Sequence, residues 1–308
     1  MKVYNSIDEL IGNTPLLEVN NLAKAEGLKG RVLVKLEYFN PAGSVKDRTA
    51  KFMLDDAEKK GLITDGATII EPTSGNTGIG ISALSAKRGY KAVLTMPRTM
   101  STERIILLSS YGAKVVLTDG ALGMNGAIEK AKELNKSIKN SIILSQFDNP
   151  SNIEAHYQTT GPEIYADTDG KIDCFVAGIG TGGTLSGVGK YLKEKNKKIK
   201  VFGIEPESSP MIQKGKSGAH KIQGIGANFV PKNFDPKVCD KVYSVSDEEA
   251  YKYAKLLVRT EGILVGVSSG AALCQAVKLA KKQAYKDKII VALLPDTGDR
   301  YLSTDLFV

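Results

Sequence analysis

CFVAGIGTGGTLSGVGKYLK, residues 174–193, decides the fold. Its first four residues, Cys174–Ala177, form an apolar run of strand length. A turn follows, Gly178-Ile-Gly-Thr-Gly-Gly-Thr184, in which four of seven residues are glycine. An amphipathic run then continues through Lys193. Strand, glycine-rich turn and helix in that order make the first half of a βαβ unit. The same reading extends outward. Val201–Glu205 is the next strand, Glu248–Glu261 and Ser269–Gln283 have helical spacing, and Ile289–Leu294 is a last strand. Toward the N-terminus the alternation occurs a second time. Val32–Leu36, Thr68–Glu71, Ala92–Thr95, Lys114–Leu117 and Ile142–Leu144 read as strands. Val45–Lys60 reads as a helix with Ala50, Met53, Leu54 and Ala57 on one face and Gly61 as its C-terminal cap. Gly75–Arg88 reads as another.

Repeated strand–helix alternation predicts an α/β protein with open, mostly parallel sheets and helices on both faces. Two such runs predict two doubly wound domains, with a boundary near Asn149-Pro150. The expected division puts residues 38–150 in a smaller domain and residues 1–37 plus 151–308 in a larger one.

Bulk properties narrow the function. The chain has 308 residues, enough for two well-buried cores. It contains no apolar run of roughly 18 residues, so no membrane span is expected. The opening MKVYNSIDELIGNTPLLEV has no apolar stretch with a small-residue cleavage site, so no secretory signal is expected. The formal net charge is +8. Lysines in short helix-face runs such as Lys193-Glu-Lys-Asn-Lys-Lys198 carry much of it. Such runs are solvated faces that steer small anions. Few aromatics interleave with them, which argues against nucleic acid. Cys174, Cys239 and Cys274 are odd in number and far apart. Free thiols in a reducing, cytoplasmic compartment are expected, with neither disulfides nor a thiol metal site. His156 and His220 are too far apart for a histidine-rich metal centre, and no metal is expected.

Three loops sit where a strand gives way to a helix, the edge at which open α/β sheets bind ligands. The first is Asn40-Pro-Ala-Gly-Ser-Val-Lys-Asp-Arg48. Ser44 is placed to cap the helix with Asp47 three residues on. Lys46 then falls in the first turn, where a cation opposes the helix dipole and the neutral amine needed for imine formation is favoured. The second is Glu71-Pro-Thr-Ser-Gly-Asn-Thr-Gly78. Its hydroxyls, amide and helix-start N–H groups suit a phosphate or a carboxylate. The third is the turn 178–184, also of phosphate-cradle composition. It matches G-x-G-x-x-G through Gly178, Gly180 and Gly183, with Glu205 where a ribose-binding acid would lie. Alone, that loop reads as an NAD site and the chain as an oxidoreductase.

Together the loops resemble the cysteine synthase (O-acetylserine sulfhydrylase) family, within the β-family (fold type II) of pyridoxal-phosphate enzymes. The resemblance covers nearly the whole chain. It runs through IGNTPLLEV, KLEYFNPAGSVKDR, EPTSGNTGIG, MPRTMSTER, GAKVVLTDG, QFDNPSN, HYQTTGPEI, AGIGTGGT, IQGIG and LLPDTGDRYLST, in that order. NAD binding would explain only the third loop.

The resemblance implies a tryptophan synthase β-like fold, pyridoxal 5'-phosphate as cofactor and Lys46 as its Schiff-base lysine. Gly180, Thr181, Gly182, Gly183 and Thr184 match the phosphate loop, placed in the larger domain. Asn76 matches the residue that hydrogen-bonds the ring hydroxyl. Thr73, Ser74, Asn76 and Thr77 match the loop that grips the substrate carboxylate, placed in the smaller domain, with Gln146 opposite. Ser268 matches the partner of the pyridine nitrogen, with Ser269 beside it. The implied reaction forms L-cysteine from O-acetyl-L-serine and sulfide through an α-aminoacrylate. A homodimer is implied, and some family members bind the C-terminal tail of serine acetyltransferase. Alternatives with the same cofactor are a cysteine-degrading or thiol-exchanging enzyme that releases hydrogen sulfide, and a cystathionine β-synthase-like enzyme. The chain departs from the family's usual residues at Asn228, where glycine is common, at Asp299, where glutamate is common, and at Ile105, where a second arginine is common.

Overall fold

The computed structural model describes residues 3–73, 75–98 and 102–307. The described residues form ten strands, β1 (Leu16–Glu18), β2 (Arg31–Leu36), β3 (Thr68–Pro72), β4 (Lys91–Pro97), β5 (Lys114–Thr118), β6 (Ser141–Ile143), β7 (Cys174–Gly178), β8 (Lys200–Pro206), β9 (Lys241–Val245) and β10 (Ile289–Leu294). They form two sheets, in two compact units. One unit is Met1–Ile11 with Asn40–Asn152; the other is Gly12–Phe39 with Ile153–Val308.

The first unit holds a parallel sheet of order β5-β4-β3-β6. Every residue of β3 is buried, as expected of a strand covered on both faces. Adjacent residues on it point to opposite sides. Ile69 meets Ala50, Met53, Leu54 and Ala57 of the helix Lys46–Lys59 and Ile81 and Leu84 of the helix Asn76–Arg88. Ile70 meets Ala131 of the helix Gly123–Ser137. The expected division left residues 1–11 outside this unit, and the structure puts them in it. The reason is non-local: Ile7 and Ile11 pack on the Ile69 side of the core, and Asp8 pairs with Arg88.

The second unit holds a sheet of order β1-β2-β10-β7-β8-β9. All neighbours are parallel except β1 with β2. The helix Val267–Ala280 is buried at every position but Lys278. It starts two residues before the expected Ser269, which places Ser268 within its first turn.

In each sheet the strand order reverses once. Successive strands step away from β3 in one direction and β6 lies on its other side. The same holds for β7, with β8 and β9 on one side and β10 on the other. At such a reversal the loops leaving the two strands diverge and open a ligand crevice. The reversals fall at the loops after β3 and β6 in the first unit, and after β7 and β10 in the second.

Candidate active site

The cluster in the first unit is built from Lys46 and the loop after β3. Lys46 opens its helix and is half-buried. Val45 rather than Ser44 occupies the cap position. Ser44 Oγ still accepts the Lys46 N–H at 3.2 Å, and Asp47 Oδ2 reaches back to the Ala42 N–H at 2.6 Å. The first of these satisfies a donor that a helix start leaves open, and the second ties the preceding loop to the helix. Thr73 Oγ1 accepts from the N–H groups of Gly75 (3.2 Å) and Gly78 (3.3 Å), so it caps the helix Asn76–Arg88. Asn76 is the first residue of that helix and is half-buried. Thr77 donates to Gln146 Oε1 at 2.6 Å. Ser74 lies outside the described residues.

Gly80 joins Lys46 to this loop. A Cβ there would sit 3.2 Å from the Lys46 carbonyl oxygen and Ala50 Cβ, and 3.3 Å from Asp47 Cα. Glycine therefore lets the first turns of the two helices touch. Lys46, Thr73, Asn76, Thr77 and Gln146 are brought together in one unit. Behind them lies Glu71, fully buried, with its carboxylate on the Ser145 and Gln146 N–H groups. Burial pushes its carboxyl up to about 7, against the pull of the backbone donors of 144–146.

The cluster in the second unit is the turn after β7. A Cβ on Gly180 would meet the Gly224 carbonyl oxygen at 2.2 Å. Gly182 has φ +85°, and a Cβ there would meet Phe234 N at 2.6 Å. Close backbone packing on both sides thus requires these glycines. The turn ends as the helix Gly183–Lys195 begins, so N–H groups and the helix dipole face one spot. Thr181 and Thr184 are nearly buried beside it.

Thr184 Oγ1 is 3.1 Å from Nε2 of the fully buried His156, whose Nδ1 is 2.9 Å from Thr160 Oγ1. His156–Thr160 is a turn of π-helix, a form often found at functional sites. From the sequence, His156 is considered individually only as a metal ligand. The motif HYQTTGPEI was the available signal, but an i→i+5 turn has no apolar period of its own.

Ser268 and Ser269 open the buried helix Val267–Ala280. A Cβ on Gly224 would lie 3.6 Å from Ser268 Oγ, so Ser268 shares a neighbour with the glycine turn. Ser269 Oγ is buried with no partner among the described residues. Glu205 is not a ribose ligand: its two oxygens take the N–H groups of Ile212 (2.7 Å) and Gln213 (3.2 Å). That use removes the acid on which the dinucleotide reading depends. Asn228 has φ +64° and accepts from Ser209 Oγ at 3.1 Å. Asp299 takes the Thr297 hydroxyl at 2.9 Å, and Ile105 packs against the Leu94 and Leu108 cluster.

Within the second unit, the Gly180–Thr184 turn has the form of an anion cradle, built where side chains on the glycines would collide, and Ser268 offers a hydroxyl on the neighbouring helix start. These are groups that suit the phosphate and ring of pyridoxal phosphate. Within the first unit, Lys46 offers an amine.

Comparison with known proteins agrees. The family model described as pyridoxal-phosphate dependent enzyme matches residues 7–296. Cysteine synthase A of Escherichia coli is 49% identical over 99% of this chain and 96% of its own. Cysteine synthase of Staphylococcus aureus is 49% identical over 99% of this chain and 98% of its own. Among solved structures, cysteine synthase from Entamoeba histolytica has TM-score 0.95 and 42% identity over 99% of this chain and 91% of that one. A hydrogen sulfide-producing enzyme from Fusobacterium nucleatum has TM-score 0.94 and 45% identity over 97% of this chain and 100% of that one.

Proposed function

The chain belongs to the pyridoxal-phosphate dependent enzymes, and from that premise we propose that it forms L-cysteine from O-acetyl-L-serine and sulfide by β-replacement, as a cysteine synthase. The observation that carries this is the Gly80 contact, which packs the helix that Lys46 opens against the helix that follows the Thr73–Thr77 loop. An amine and a carboxylate grip are what an α-amino acid substrate needs.

Pyridoxal phosphate, when bound, supplies the electron sink that acidifies the substrate's α-C–H and lets its β-substituent leave. Lys46 Nζ would hold the cofactor and, when free of it, would be the base that takes the substrate's α-proton and returns it at the end. Gly180, Thr181, Gly182, Gly183 and Thr184 bind the phosphate. Ser268 would meet the pyridine nitrogen with a neutral hydroxyl, which offers a hydrogen bond but no charge to enforce ring protonation. Asn76 hydrogen-bonds the ring hydroxyl. Thr73, Ser74 and Asn76 would hold the substrate carboxylate together with the Thr77 N–H at the helix start, while the Thr77 hydroxyl, donated to Gln146, fixes Thr77 in place.

No helix among the described residues is long and apolar enough to cross a membrane. The enzyme works as a cytoplasmic homodimer under this reading, and the tail of a serine acetyltransferase is a candidate partner. The first test is the visible spectrum of the purified protein. A yellow protein whose band moves to longer wavelength with O-acetylserine, and returns with sulfide, supports the reading; Lys46→Ala abolishes the shift. The likeness to a hydrogen sulfide-producing enzyme favours one second reading. A shift with cysteine alone, with sulfide released and none with O-acetylserine, would move the assignment there.

A further inference from the structure

We infer that Glu71 is the positioning residue of the carboxylate-binding loop: it fixes the turn at 144–146 and, through Gln146, the Thr77 hydroxyl. The inference deepens the amino-acid reading above and rests on it.

An acid at the end of a strand buried on both faces is out of place unless its partners are built in. For Glu71 they are backbone donors. Ser145 N–H donates to one oxygen at 2.8 Å, Gln146 N–H to the other at 2.9 Å, and the Leu144 N–H also contributes. Outside a helix start, successive N–H groups converge on one anion where the backbone alternates its handedness. Ser145 does so, with φ +59°. A serine resists that conformation, so surrounding bonds must hold it. On the N–H side of the turn the Glu71 carboxylate is in position to do this. On the carbonyl side the Asp148 and Asn149 N–H groups donate to the Ser145 carbonyl at 2.9 Å, and Asn149 Nδ2 donates to the Leu144 carbonyl at 2.9 Å.

Gln146 is the part of the turn that reads outward. Its Oε1 accepts from Thr77 at 2.6 Å and its Nε2 donates to the Pro72 carbonyl at 3.2 Å. Its own carbonyl accepts from Asn152 Nδ2 at 2.8 Å, and Asn152 Oδ1 accepts from Thr49 at 3.2 Å, one turn beyond Lys46. Relaxing Ser145 would swing Gln146 and release Thr77. The helix start would survive, because Thr73 caps it independently.

The test is Glu71→Gln, which keeps the shape but turns one acceptor into a donor facing an N–H. In the pyridoxal-phosphate-loaded protein, L-serine binding is titrated by cofactor absorbance at a pH well above about 7, where the Glu71 carboxyl is ionised, and cofactor affinity is measured separately. Affinity for L-serine should fall about tenfold or more, with cofactor affinity within about twofold. Adding Ser145→Gly, which removes the resistance to positive φ, should recover most of the loss. L-serine binding within about twofold of wild type, equal losses of serine and cofactor affinity, or no recovery in the double variant would each overturn the inference. If Glu71→Gln does not fold, Glu71→Asp withdraws the charge by one methylene. It should weaken L-serine binding, and unchanged binding overturns the inference. A wild type that binds no amino acid sinks the functional reading and this inference with it. A variant that binds as well as a competent wild type sinks this inference alone.

Discussion

Asn228, where the family resemblance leads to an expectation of glycine, sits in a left-handed backbone conformation. Asparagine is the side chain that tolerates this region best after glycine. Its Oδ1 also accepts from the buried Ser209, which in turn accepts the Gly218 N–H at 3.2 Å. Asn228→Gly trades that bond for an easier backbone and should change stability by less than about 1 kcal/mol. Asn228→Ala loses both advantages and should cost about 1–2 kcal/mol more than the glycine variant, read from urea midpoints. The residue was visible in the sequence as a departure, but its backbone angle was not. Glu71 was likewise visible as a letter in EPTSGNTG, while its partners lie more than seventy residues away in the chain.

The same glutamate sets a pH dependence. Burial raises its carboxyl from 4.5 to about 7 in the folded protein. Between those values the folded state holds a proton that the unfolded chain has released. The resulting stabilisation is complete below about pH 4.5 and is lost as pH rises through about 7. The unfolding free energy of wild type minus that of Glu71→Gln should therefore fall by more than about 1 kcal/mol between about pH 4.5 and pH 8. A flat difference would mean that Glu71 titrates at its ordinary value.

At the scale of elements, the contact between two helix starts is the feature most exposed to test. Gly80→Val would drive two methyl groups and a Cβ into Ala50 and the Lys46 backbone. Overpacking of this kind costs about 1–3 kcal/mol. Because it displaces Lys46 from the Thr73–Thr77 loop, kcat/KM for O-acetylserine should fall more than about tenfold. A melting curve and initial rates decide it: lost stability with full activity would show that the contact serves packing alone. Elements with strong apolar runs were legible, Ile289–Leu294 to both ends. Two strands were not. β9 is only half-buried and at a sheet edge, and β1 is a three-residue antiparallel addition, so neither carries a buried run. The π-turn His156–Thr160 escaped for want of a periodic signature.

On the scale of the whole molecule, alternation of strands and helices carried the two parallel sheets, because each βα step is a local pattern. The membership of the first eleven residues was hidden, because it depends on where Ile7 and Ile11 find a core. Burial is also uneven between elements, and that has a measurable consequence. The helix Val267–Ala280 lies inside a cluster with residues of β2, β7, β8, β9 and β10 and of the helix Asp247–Glu261. In the first unit, the helix Thr102–Ser110 buries only Arg104 and Leu108, and Gly123–Ser137 only Ala127 and Ala131. Local opening costs least where little apolar surface is exposed by it. Backbone amides of 102–110 and 123–137 should therefore exchange through low-energy openings that urea barely affects. Those of 267–280 should exchange only through openings with the urea dependence of global unfolding. Native-state hydrogen exchange across a urea series measures both. Uniform opening energies for the three helices would mean that the molecule unfolds as one cooperative body and that burial within single elements does not set their stability.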